Sequence, residues 1–148
     1  MIIGLAGTGR MGAAMGARLL ALGHEVVVWN RTADKTKPLA AAGAKVAGTP
    51  RALAAGCEIV LSILTDAAAV EATYLGESGL LAGEVAGKLF VEMSTVRPAG
   101  QQALAAAAAA RGGLLALMRS PPPFSSGTGS FRGAAGRPFR APPSSPPA

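Results

Sequence analysis

A chain of 148 residues, 50% hydrophobic and 15% charged, has the length for one ordinary domain and enough apolar side chains for a core, which excludes wholesale disorder. The 14 Lys and Arg against 8 Asp and Glu give a formal charge of +6, but residues 1–118 are nearly balanced while 119–148 hold four arginines and no acid, so the basicity is not a general nucleic-acid footprint. One cysteine (Cys57) and one histidine (His24) exclude an internal disulfide, cysteine-rich zinc sites and His-cluster metal sites.

In chain order, Ile2–Ala6 is a short apolar run ending at Gly7, the pattern of a buried strand. Apolar residues then recur at helical spacing over Met11–Leu22, with Gly23 as the C′ residue. The valine-rich His24–Trp29 predicts a second strand. Thr32 can cap a helix running to Ala42 and closed by Gly43, which Pro38 should kink. Lys45–Ala47 predicts a short strand, and Pro50–Ala55 a short helix with proline near its first position. Glu58–Leu64 is a continuous apolar strand, Asp66 caps a helix through Tyr74, and Lys88–Met93 is the next strand. Pro98 opens an alanine-rich helix that stops at Gly112-Gly113, and Leu114–Leu117 begins a further strand. Strict alternation of strand and helix implies the α/β class: a doubly wound parallel sheet with helices on both faces.

The composition changes at about residue 119. Pro, Ser and Gly supply 18 of the last 30 residues, and eight of the eleven prolines lie there. Proline runs cannot join helices or ladders, and Phe124, Phe131 and Phe139 offer too little apolar area to offset the entropy of ordering. The expected organisation is a domain over 1–118 followed by a disordered tail over 119–148. No apolar run reaches the roughly 18 residues of a bilayer span, and the N-terminus lacks the basic region of a signal peptide. A cytoplasmic protein is expected, an organelle being left open, with no membrane partner and no nucleic acid.

Gly7-Thr8-Gly9-Arg10-Met11-Gly12 is a GxGxxG that follows a strand, opens a helix and sits in a βαβ unit of about thirty residues. That context strengthens it as a dinucleotide fingerprint, a structural glycine-rich turn without a ligand being the alternative. Gly7 permits the tight turn, Gly9 lets a pyrophosphate approach the backbone, and Gly12 allows close packing of helix on strand. The helix N-terminus adds free N–H groups and partial positive charge. These features define the Rossmann-type architecture. At the end of the second strand, where an acid would hold the ribose diol of NAD, stands Asn30-Arg31-Thr32. With no carboxylate to repel a 2′-phosphate and an arginine to bond it, NADP is expected over NAD, with Asn30 and Thr32 adding neutral hydrogen bonds. A solvated surface charge at Arg31, with Thr32 as a helix cap, is the alternative. Leu64-Thr65-Asp66 and Ser94-Thr95-Val96 leave the carboxyl ends of further predicted strands, the edge where open α/β sheets bind ligands. Capping of adjacent helices is the alternative for both. His24 should begin its strand at the far end from the cleft, and Cys57 reads as a small buried hydrophobe.

Three segments resemble the β-hydroxyacid dehydrogenases: Ile3-Gly4-Leu5-Ala6-Gly7-Thr8-Gly9-Arg10-Met11-Gly12-Ala13-Ala14-Met15, then Val28-Trp29-Asn30-Arg31-Thr32, then Glu92-Met93-Ser94-Thr95-Val96-Arg97-Pro98. The resemblance is nearest to glyoxylate and succinic semialdehyde reductases and covers about 1–117. It implies that the backbone from Gly7 to Gly12 holds the pyrophosphate, that Asn30, Arg31 and Thr32 hold the 2′-phosphate ribose, and that Leu64 and Thr65 line the dinucleotide. It further implies Thr95 near the nicotinamide and Ser94 on the substrate side.

The same resemblance implies a second, helical domain whose lysine protonates the carbonyl oxygen of the substrate. Lys35, Lys37, Lys45 and Lys88 are the chain's four lysines, and none matches that position. Arg119-Ser120-Pro121-Pro122-Pro123 stands where a glycine-rich substrate loop is expected, which suggests an out-of-frame reading or a mis-predicted exon. The expected function is therefore the NADP-binding part of a reductase of small aldehydes or 2-oxoacids, nearly inactive alone. A non-catalytic NADP-binding module, or a tail that binds anionic partners, are the alternatives.

Overall fold

Alternating apolar runs and helical periods become a six-stranded sheet in the computed structural model, which describes residues 1–95 and 97–118. The tail expected over 119–148 lies outside the described residues. Strands β1 (Ile2–Ala6), β2 (Glu25–Trp29), β3 (Lys45–Val46), β4 (Ile59–Ser62), β5 (Leu89–Glu92) and β6 (Leu114–Leu117) stand in the order β3-β2-β1-β4-β5-β6. Every neighbouring pair is parallel. The chain steps outward from β1 to β3, crosses to β4 on the other side of β1, and steps outward again. The reversal between β1 and β4 is the topological switch point of a doubly wound sheet.

The helices are α1 (Arg10–Ala21), α2 (Lys37–Ala41), α3 (Pro50–Ala55), α4 (Ala67–Leu75) and α5 (Pro98–Ala109). Because successive strand residues face opposite ways, each strand feeds two cores. Leu5, Val26 and Val28 pack with Leu39 of α2 and with Leu19 and Leu20 of α1 on one face. On the other, Ala6, Val60 and Phe90 pack with Leu53 of α3, Val70 and Tyr74 of α4, and Leu104 and Ala108 of α5. Each Val, Leu or Phe side chain among these, once fully buried, contributes about 1.5–3 kcal/mol. Segments as short as α2 and α3 are held by this packing, since isolated helices of that length do not persist in water.

Local chemistry agrees with most of the expected starts and stops. Asp66 caps α4, its Oδ1 accepting from the Ala69 N–H at 2.8 Å. Thr49 caps α3 in the same way at 3.1 Å from the Ala52 N–H. The segment after β2 departs from expectation. In place of one kinked helix from Thr32 to Ala42 there is a 3-10 turn over Ala33–Thr36 and then α2, with Pro38 in the first turn. Proline has no N–H to donate and a fixed φ, so it suits a helix start better than a helix middle. Thr32 makes no side-chain cap there, and Thr36 Oγ1 bonds the Ala33 carbonyl at 2.7 Å instead. Neither Ser94 nor Thr95 caps α5, whose preceding residue is Arg97.

Cys57, just before β4, is 2% exposed, and its Sγ lies 3.0 Å from where a Cβ on Gly4 would stand. Burial pushes the thiol up from 9.0 to about 11, against a weaker opposing pull from Lys88. The folded protein thus keeps this proton longer than the unfolded chain does. The stability it contributes is complete below about 9 and falls as pH rises toward about 11. At about pH 8 the native thiol should alkylate far more slowly than in denaturant, because only the thiolate reacts. Equal rates by mass spectrometry in the two conditions would show an open site.

Candidate functional site

The strand register lines up one row across the carboxyl end of the sheet: Trp29 beside Ala6, Ala6 beside Ser62, Ser62 beside Glu92, and Glu92 beside Leu117. The loops that follow these residues build the candidate site.

After β1, Gly7 turns the chain at φ +97°, and its N–H bonds the Trp29 carbonyl at 2.9 Å. A Cβ on Gly7 would stand 2.0 Å from the Ile63 carbonyl oxygen, and one on Gly12 would stand 2.0 Å from the Gly7 carbonyl oxygen. The start of α1 is thereby pressed onto the turn, closer than any side chain allows. Gly9, the N-cap of α1, has open space where a Cβ would be. Among the described residues, the amides of Gly9, Arg10, Met11 and Gly12 have no intramolecular acceptor. Free amides at the positive end of a twelve-residue helix form an anion cradle.

At the end of β2, Asn30 ties this turn to the next one. Its Oδ1 accepts from the Thr8 N–H at 3.0 Å, and its Nδ2 donates to the Thr32 carbonyl at 3.0 Å. Thr8, buried, donates through Oγ1 to the Lys35 carbonyl at 3.0 Å. Arg31, Thr32 and Lys35 are exposed around this scaffold, so two cations face one space at the end of β2.

At the ends of β4 and β5 the polar groups are buried. Ser62 Oγ donates to the Glu92 carboxylate and lies 2.7 Å from the Tyr74 hydroxyl, which is left to donate to it. Burial, with Glu92 alongside, pushes the Tyr74 hydroxyl above its ordinary range. The other Glu92 oxygen accepts from the Ser94 N–H at 2.6 Å, and Ser94 Oγ accepts from the Leu64 N–H at 2.7 Å.

A cleft of about 360 Å³ opens over the switch point. Of the residues singled out in the sequence, it brings together Gly7, Gly9, Asn30, Arg31, Thr32, Leu64 and Thr65. Thr8 and Gly12 lie buried behind this wall, and Arg10 and Met11 are exposed on the first turn of α1. Ser94 is buried and Thr95 exposed at the carboxyl end of β5, outside the lining. Sequence reading missed Lys35, which the 3-10 turn carries into the cleft, and the α4 wall of Ala69, Ala72 and Thr73. Lysine three residues after the Asn-Arg-Thr run was the available signal. The α4 residues had none, being ordinary helix formers. His24 sits before β2, at the opposite end from the cleft. No group of His, Cys, Asp and Glu among the described residues could hold a metal ion, and none of the described helices is long and apolar enough to cross a membrane.

A 3-2-1-4-5-6 parallel sheet with a glycine cradle at its switch point and cations at the end of β2 defines a Rossmann-type dinucleotide-binding domain. Residues 2–121 match the family described as the NAD binding domain of 6-phosphogluconate dehydrogenase, and the chain belongs to that family. Its curated relatives include the cytokine-like nuclear factor N-PAC of Danio rerio, 44% identical over 96 residues that make 65% of this chain and 21% of the relative. The uncharacterized oxidoreductase YfjR of Bacillus subtilis is 38% identical over 106 residues, 72% of this chain and 37% of the relative. Among solved structures, Psf3 in complex with NADP+ and 2-OPP is 34% identical with a TM-score of 0.73, covering 76% of this chain and 40% of that one. The reductive aminase from Aspergillus terreus in complex with NADPH4, cyclohexanone and allyl amine is 37% identical with a TM-score of 0.69, covering 76% and 38%. The chain thus spans about a fifth to two fifths of the length of these proteins.

Proposed function

We propose that residues 1–118 bind NADP(H), in preference to NAD(H), as the nucleotide-binding part of an oxidoreductase that reduces a small aldehyde or 2-oxoacid such as glyoxylate or succinic semialdehyde. The observation that carries the reading is the pairing of an unpartnered amide cradle at Gly9–Gly12 with Arg31 and Lys35 at the end of β2. The amides suit a diphosphate and the two cations suit a 2′-phosphate. Asn30 serves this arrangement through the backbone groups it holds in place, and Thr32 borders the ribose. With the adenosine end over β2 and the diphosphate over β1, the nicotinamide end extends toward β4 and β5. Leu64 and Thr65 then flank the dinucleotide, and Thr95 borders the place where nicotinamide and substrate meet, with Ser94 buried beneath it on the substrate side. When bound, the coenzyme supplies the hydride. The chain's own part is to bind and orient it. Several solved structures of similar fold carry NADP(H) in their names, which supports the coenzyme assignment.

A second reading, a binding module without catalysis, is favoured by where the lysines lie. Lys35 is at the end of β2, Lys37 pairs with Asp34, Lys45 pairs with Glu25, and Lys88 bonds the Cys57 and Ala55 carbonyls at the amino end of β5. None stands beside Ser94 and Thr95, so these lysines supply no proton donor there. A missing general acid typically costs about 100- to 10,000-fold in rate.

Calorimetric titration with NADPH and NADH tests the binding claim. NADPH is expected to bind at least about tenfold tighter, the worth of one charge-assisted hydrogen bond. No heat with either coenzyme would overturn the proposal. NADPH oxidation with glyoxylate or succinic semialdehyde separates the two readings: turnover favours the reductase, and binding without turnover favours the module.

A further inference from the structure

The polar network under the cleft has a role that the coenzyme contacts leave unassigned. Glu92 is fully buried, and no cation pairs with it among the described residues. A carboxylate in that setting is costly unless donors satisfy it. Here they do: Ser62 Oγ reaches one oxygen, and the Ser94 N–H reaches the other at 2.6 Å. The second bond folds the chain after β5 back on itself and turns the Ser94 hydroxyl toward the neighbouring loop, where it accepts the Leu64 N–H at 2.7 Å. Leu64 and Thr65 follow β4 directly and form one wall of the cleft. Asp66 then starts α4, whose Tyr74 closes the network back onto Ser62. Two adjacent loops at the ligand-binding edge are thus fastened to each other from beneath, by groups that do not line the cleft.

We propose that Glu92, acting through Ser94, is a positioning residue that holds the Leu64–Thr65 wall in its binding shape before any nucleotide arrives. The proposal rests on the reading of the cleft as a nicotinamide-nucleotide site. Without the Ser94 hydroxyl, the Leu64 N–H has no partner, and the wall must be ordered at the moment of binding, which weakens affinity. The cations that would meet a 2′-phosphate stand at the end of β2, on the other side of the switch point. Loss of the latch should therefore weaken NADPH and NADH by the same factor, unlike any change at Arg31.

The experiment combines hydrogen exchange at the Leu64 amide with calorimetry on the full chain, well below its unfolding temperature. In the native protein the Leu64 amide is expected to be protected. In Ser94→Ala that protection is lost, and both coenzymes bind about tenfold more weakly. Glu92→Gln retains an oxygen that can accept the Ser94 N–H and should keep native affinity, whereas Glu92→Ala should match Ser94→Ala. A merely structural role would lower the unfolding temperature of these variants without moving the affinity of the folded protein. Unchanged affinity in folded Ser94→Ala, a loss confined to NADPH, or equal behaviour of Glu92→Gln and Glu92→Ala would overturn the proposal. So would an unprotected Leu64 amide in the native chain, a measurement that needs no variant to fold. If the native chain binds neither coenzyme, the nucleotide reading itself has failed and the positioning role falls with it. The native titration distinguishes that result from failure of the latch alone.

Discussion

Gly9→Ala and Gly12→Ala are both expected to weaken NADPH binding, Gly12→Ala the more severely, but only Gly12→Ala should cost folding stability. At Gly12 a Cβ would stand 2.0 Å from the Gly7 carbonyl oxygen, a backbone atom that cannot swing aside. Either α1 or the turn must move, at a cost of about 1–3 kcal/mol for forcing extra volume into a filled space. The shift also misplaces the amides of the cradle, so NADPH binding should fall below detection. At Gly9 nothing lies within 4 Å of the Cβ position, and φ −66° with ψ −169° is backbone that alanine readily adopts. Stability should therefore change by less than about 1 kcal/mol, the usual scale of an N-cap exchange. Gly9 lines the cleft, however, and a methyl group there would stand where the proposed diphosphate approaches. Affinity should drop about tenfold to hundredfold, the equivalent of one or two weakened anion contacts. Chemical denaturation and calorimetry on both variants decide the matter. Native NADPH affinity in Gly9→Ala would show that the diphosphate does not pass over this turn.

The second large effect concerns coenzyme choice. Arg31→Ala is expected to weaken NADPH about tenfold to hundredfold while changing NADH by no more than about twofold, since only NADPH carries the 2′-phosphate that the proposed site assigns to the guanidinium. Both Arg31 and Lys35 are exposed, so the effect should shrink as salt rises. Combining Arg31→Ala with Lys35→Ala should erase the preference for NADPH altogether. An equal loss for the two coenzymes would remove Arg31 from the 2′-phosphate site.

Much of this could be read from the chain because the signals are local. Strand and helix alternate with little noise. The glycine pattern needs only a strand before it and a helix after it, and Asp66 caps a helix as its residue type foretells. The 3-10 turn before α2 is not legible in the sequence, because two weak signals compete there. Thr32 as a cap and Gly43 as a stop argue for one continuous helix, whereas Pro38 marks the start of α2. Missing that break also meant missing Lys35, whose place in the cleft depends on the tight turn that the Thr8 hydroxyl fastens.

Sequence alone determined the order of elements, the glycine turn at the start of α1 and the charge that follows β2, since each is encoded within a few neighbouring residues. Only the tertiary structure decided that Glu92 is buried, that Ser94 reaches Leu64 thirty positions away, and that Asn30 joins two loops instead of standing free. Those facts arise from strand register. The pairing of Ser62 with Glu92 across β4 and β5 is what brings distant polar groups within hydrogen-bond range, and no spacing along the chain announces it.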